Sequence, residues 1–182
     1  MEKVHLMFLK RILGVKNTTS TNMIYYELGR YPLIIKRKLR IFRYWLKIRN
    51  SNNCLLKTCY EEMIQNDNEW VKNLKTELSK IGLGYLWSDN RSDKCILAEI
   101  ENRITDIYKQ ETLLEISRSS KGFLYQHLID NFTLQYYLTK PIPSFYKIHI
   151  TRYRLVSHKL KIEQGRYTQE KKKKQNMFTL QP

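Results

Sequence analysis

Lys36, Arg40, Arg43 and Lys47 recur at i, i+4, i+7 and i+11. At about 100° per residue such a series stays on one side of a helix. Cations held at that pitch suit one chemistry, the neutralisation of successive phosphates on a polyanion. Arg37 stands beside this series as a further candidate for phosphate. Ile35, Leu39, Phe42 and Leu46 repeat the same spacing one residue earlier, so the ridge stands about a quarter turn from an apolar stripe. Ile34, Ile41, Trp45 and Ile48 make a further apolar strip. Two readings fit: a core helix with one solvated edge, or a helix anchored by its apolar faces that presents its cations rigidly. The two are compatible.

Charge along the whole chain points the same way. Residues 1–50 carry 12 Lys and Arg against two Asp and Glu, residues 51–118 nine against 12, and residues 119–182 12 against three. Two basic ends flank a mildly acidic middle, and the net charge is +16. Self-repulsion on that scale makes a polyanion a natural partner, RNA or DNA first. The competing reading is a well-solvated basic protein with no specific partner.

Other chemistry is missing from the residues. There is no Gly-rich phosphate loop, no GxSxG and no HExxH. His5, His127, His149 and His158 are far apart, and each reads as a structural histidine. The acidic residues of the middle block read as solvated faces rather than a catalytic pair. Cys54, Cys59 and Cys95 lack the paired spacing of a zinc site. They read as small buried hydrophobes in a reducing compartment. No enzyme activity, metal or cofactor is expected.

The elements that must position the cations are helical. With 182 residues, 42% hydrophobic content, six Gly and four Pro, the chain suits one domain or two small ones. Val4, Phe8 and Ile12 predict an amphipathic helix over 2–13, stopped by Gly14. The polar run Asn17 to Asn22 predicts side-chain capping of a helix over 20–28. Pro32 sits at the start of the basic helix, 32–50. Helices are expected over 54–66, 68–82 and 94–118, the last with a Glu99/Arg103 pair at i, i+4. Residues 119–140 are mixed but near helical spacing, and a final helix is expected over 143–158. The expectation is an all-α protein, an irregular array of about seven helices. Its tail, 169–182 with Lys171 to Lys174, is expected to be disordered. The start is no secretory signal, because Lys10 and Arg11 interrupt its apolar run. No stretch approaches the length of a membrane span. An intracellular place, nuclear or cytoplasmic, is expected. Peripheral attachment to a membrane through the 32–50 helix is a weaker alternative.

Two segments resemble a known family. ELGR-x-PL, residues 27–33, followed by a basic aromatic helix, resembles non-LTR retrotransposon polyproteins of invertebrate type, after the reverse-transcriptase palm. R-L-x-S-H-x-L-x-I-E-x-G-R-Y, residues 154–167, resembles the segment before that family's C-terminal zinc knuckle. The two occur in the family's order and separation, and the resemblance covers about residues 4–167, most of the chain. The resemblance implies a thumb-like segment at 1–50, a connecting helical segment at 51–118 and a pre-knuckle segment at 119–168, before the tail. It nominates Glu27, Gly29, Arg30 and Pro32, then Arg154, Ser157, His158, Glu163, Gly165, Arg166 and Tyr167. Gly29 and Gly165 read as turn positions, and Glu163 as the partner of a nearby cation. Arg152, Arg154, His158, Lys159 and Arg166 are candidates for phosphate, and Tyr153 and Tyr167 for stacking on bases. Packing in a core is the competing reading for both tyrosines. The metal-binding aspartates of the palm and the endonuclease are absent from this sequence, and TQEKKKKQNMFTLQP stands where the knuckle is expected. The implied role is a non-catalytic remnant that holds RNA or DNA by its backbone. The alternative is a helical interaction module, or a fragment without function, whose apolar faces dock on a polymerase domain outside this chain.

Overall fold

The computed structural model describes residues 1–129 and 131–158. Its described residues form nine α-helices: α1 Glu2–Leu13, α2 Thr21–Glu27, α3 Leu33–Arg49, α4 Cys54–Gln65, α5 Glu69–Lys80, α6 Asp93–Arg118, α7 Gly122–Tyr125, α8 Tyr136–Thr139 and α9 Ser144–Arg154. A 3₁₀ turn, Gly84–Ser88, follows α5. The fold is all-α. The one departure among the described residues is an isolated bridge between Leu28 and Leu134.

Two apolar clusters hold these helices. The first lies between α3, α5, the 3₁₀ turn and α6, with Phe42, Trp45, Leu46, Leu74, Leu78, Leu86, Ile96 and Ile100 fully shielded. Trp45 stacks on Trp87 at 5.1 Å and donates its indole N–H to Tyr60 Oη at 2.8 Å. Arg49 lies over its ring. The second cluster joins α1 and α2 to the end of α6 and to α9, through Leu9, Leu13, Met23, Ile24, Ile116, Tyr125 and Leu155. Phe132 links the two, packing on Tyr26 at 5.2 Å and on Tyr31 at 4.7 Å. The first 28 residues therefore share a core with residues 116–156, so the packing units and the charge blocks have different boundaries.

Several local expectations are corrected. Val4, Phe8 and Ile12 are exposed, and α1 buries Leu9 and Leu13 instead. Both stripes are apolar, and only the neighbours on α2 and α9 decide between them. Lys10 lies on the inner side and ends on Asn17 O at 2.5 Å, with burial pulling its pKa down. Ser20 does precede α2, yet no side chain caps it. Asn53 and Asn68 provide such caps for α4 and α5. All three cysteines are exposed, not buried. Glu99 pairs with Arg91 rather than Arg103, which donates to Ile81 O. The described residues of 119–140 hold only the four-residue helices α7 and α8. The last described helix stops at Arg154, before Val156 turns to φ 51°. The expected tail, 169–182, lies outside the described residues.

Candidate nucleic-acid interface

α3 carries the densest set of predicted cations, and its packing fixes which way they point. Ile35, Phe42, Trp45 and Leu46 turn one side into the first cluster. Lys36, Arg37, Arg40, Arg43 and Lys47 are all exposed on the other. Tyr44 stands among them, 56% exposed, and Ile34 and Ile41 edge the face. The ion pairs of this helix run through different residues: Lys38 to Glu77 at 2.7 Å and Arg49 to Asp93 at 3.9 Å. Hydrogen bonds from Lys38 and Lys80 hold the Glu77 carboxyl below its ordinary pKa. No ion pair among the described residues engages the five outward cations. Near the start of α3, Lys36, Arg37 and Arg40 line an open groove of about 620 Å³ together with Met1, Glu2, Leu33 and Ile34. Arg30 is exposed just before the helix.

The second predicted segment divides in two. Arg154 points inward: Nε meets Glu27 Oε1 at 2.7 Å, and Nη2 reaches Leu128 O at 3.0 Å and Gln135 Oε1 at 2.9 Å. Glu27 is completely buried. Its carboxylate also accepts from Tyr125 Oη at 2.8 Å and Tyr137 Oη at 2.7 Å. Burial and the Glu27 charge both push these two phenols up. For Arg154, burial pulls down but the Glu27 carboxylate outweighs it, and the net direction is up. This guanidinium is a structural cation, committed to the core.

Arg152, Tyr153 and His158 face outward instead, into a cleft of about 480 Å³ between the end of α1 and the end of α9. Gly14, Val15, Lys16, His149 and Ser157 complete its lining. Sequence reasoning missed Lys16 and His149 for this place. No local signal marks them, because the contact that closes the cleft, Lys16 N to Ser157 Oγ at 2.9 Å, spans 141 residues. Lys159, Arg166 and Tyr167, with Glu163 and Gly165, lie outside the described residues. Among the described residues no group of three His, Cys, Asp or Glu converges to hold a metal. No described helix is long and apolar enough to cross a membrane.

No family model, curated protein or solved structure matches the chain.

Proposed function

We propose that this chain holds RNA or DNA by its phosphates, as a non-catalytic segment resembling the thumb-to-pre-knuckle region of a non-LTR retrotransposon reverse transcriptase. The observation that carries the reading is the outward face of α3, five cations with no carboxylate partner among the described residues, beside a buried apolar side. Such a face neutralises a backbone without reading bases, so binding is weakly sequence-specific and steeply salt-dependent. The reading implies a place inside the cell, nuclear or cytoplasmic, where such polymers are found. Titration of labelled single-stranded RNA and duplex DNA at two salt concentrations tests it, beside the variant Lys36→Glu/Arg40→Glu/Arg43→Glu. Salt-sensitive binding that the variant loses supports the reading, and binding that the variant retains moves the contact away from α3.

A second reading has its own observation. Val4, Met7, Phe8 and Ile12 are each more than half exposed along one side of α1. An apolar ridge of that kind marks an interface in a helical interaction module. Association through it weakens little with salt, which separates it from phosphate binding.

A further inference from the structure

The cleft between α1 and α9 differs in its lining from the groove at the start of α3, which includes Glu2. It is concave, and among the residues that line it none bears a carboxylate. Its two exposed cations, Arg152 and Lys16, each donate to a backbone carbonyl. Arg152 Nε donates to Gly14 O at 2.6 Å, which anchors the guanidinium across the mouth. Lys16 Nζ donates to His158 O at 2.9 Å from the opposite wall. Ser157, only 3% exposed, forms the floor, where its Oγ accepts from Lys16 N and meets Thr19 Oγ1 at 3.1 Å. At the rim Tyr153 is 54% exposed, its ring centroid 5.9 Å from that of His158.

We infer that this cleft is a phosphomonoester site, for a terminal phosphate with its nucleoside ring against Tyr153. The volume falls in the range of small-ligand pockets. A monoester carries close to two charges at neutral pH and presents three strong acceptor oxygens. A diester within a strand carries one charge and two such oxygens. Opposed, anchored cations around a concave floor match the monoester, and the arginine fork supplies directional donors. Two sources share this chemistry: a free nucleoside monophosphate and the phosphorylated 5′ end of a strand. The site stands without the α3 reading and deepens it if both hold. α1 spans roughly 18 Å at 1.5 Å per residue and separates this cleft from the groove at the start of α3.

The test uses the full chain. Adenosine monophosphate and adenosine are titrated by calorimetry, and a short oligonucleotide bearing a 5′-phosphate is compared with its 5′-hydroxyl twin by fluorescence anisotropy. The expected result is tighter binding of the phosphorylated member of at least one pair, by about tenfold. Lys16→Gln and Arg152→Gln, each checked for an unchanged helical spectrum, should abolish that preference. Lys36→Glu/Arg40→Glu/Arg43→Glu should leave the adenosine monophosphate titration unchanged even where it removes strand binding, so failure at α3 and failure at the cleft are distinguishable. Preference in the nucleotide pair alone assigns the free nucleotide as the source, and preference in the strand pair alone assigns the 5′ end. Equal binding within both pairs, or a preference that both cleft variants retain, overturns the inference.

Discussion

Arg154 Nε meets Glu27 Oε1 at 2.7 Å across 127 residues of sequence. The pair is almost sealed, with Glu27 fully buried and the Arg154 side chain 15% exposed. Such a pair is no proof of net stabilisation, because both charges lose water. Removing one partner is another matter. Glu27→Ala leaves a buried guanidinium without its counterion, and Tyr125 and Tyr137 lose their shared acceptor. We expect a loss of about 3–5 kcal/mol, read from the urea midpoint. Glu27→Leu/Arg154→Met should recover part of it. A loss below about 1 kcal/mol for Glu27→Ala would count against a sealed pair.

Gly29 lies beside that carboxylate in the chain. It sits at φ 55°, and a Cβ there would stand 2.5 Å from Leu134 N and from Thr133 C. Backbone cannot swing aside as a side chain can. Gly14, at φ 64°, would put its Cβ 2.8 Å from Ile148 Cγ2, the end of a side chain able to shift. We expect Gly29→Ala to cost about 2–4 kcal/mol and Gly14→Ala about 1–2 kcal/mol, by thermal or urea unfolding. The reverse order would refute the close approach at Gly29.

Alkaline pH should unfold the protein earlier than its net charge alone requires. Burial pushes the Tyr108 phenol up to about 12, and Tyr25, Tyr125 and Tyr137 are also raised, burial being the largest cause for each. A raised folded value means that the unfolded chain ionises first. The stabilisation is fully present below the unfolded value of 10.0 and is lost as pH rises, for Tyr108 between 10.0 and about 12. Phenolate absorbance should therefore rise in two phases, exposed tyrosines first and the buried set together with loss of helix. Smooth ionisation of all tyrosines with helix intact would contradict it.

On α3, the triple reversal removes three cations from the face. The slope of log K against log salt shrinks by about 0.7–0.9 for every phosphate that is no longer neutralised, so a fall of about two to three is expected. An unchanged slope would show that these side chains touch no phosphate.

For the apolar ridge of α1, Phe8→Glu/Ile12→Lys should alter stability by no more than about 0.5 kcal/mol, because both side chains are already exposed. Any self-association seen by sedimentation at high salt should diminish in this variant. A large loss of stability would mean that the ridge is covered within the chain.

Much of this architecture was legible in the residues, for local reasons. Helical periodicity placed α1, α3, α4, α5 and α6 to within a residue or two, because apolar spacing, polar caps, Gly14 and Pro32 act within a few positions of each boundary. The same periodicity misread residues 119–140. Near-helical spacing there is overridden by the contacts of Phe132 with Tyr26 and Tyr31 and by the hydrogen bond from Gln135 N to Glu27 O, which hold the chain irregular.

The sequence by itself determined the all-α class, the position of the basic helix and the cations spaced along it, since those depend on residue type and a fixed 3.6-residue turn. Only the tertiary structure decided which cations remain outside. Arg154 and Arg152 are two residues apart on one helix, yet one is sealed against Glu27 and the other lines a cleft with Lys16. It also decided that α1 shows Phe8 to solvent and buries Leu9. Burial is set by partners from distant parts of the chain, and a helix with two apolar sides carries no local mark of which side they will cover.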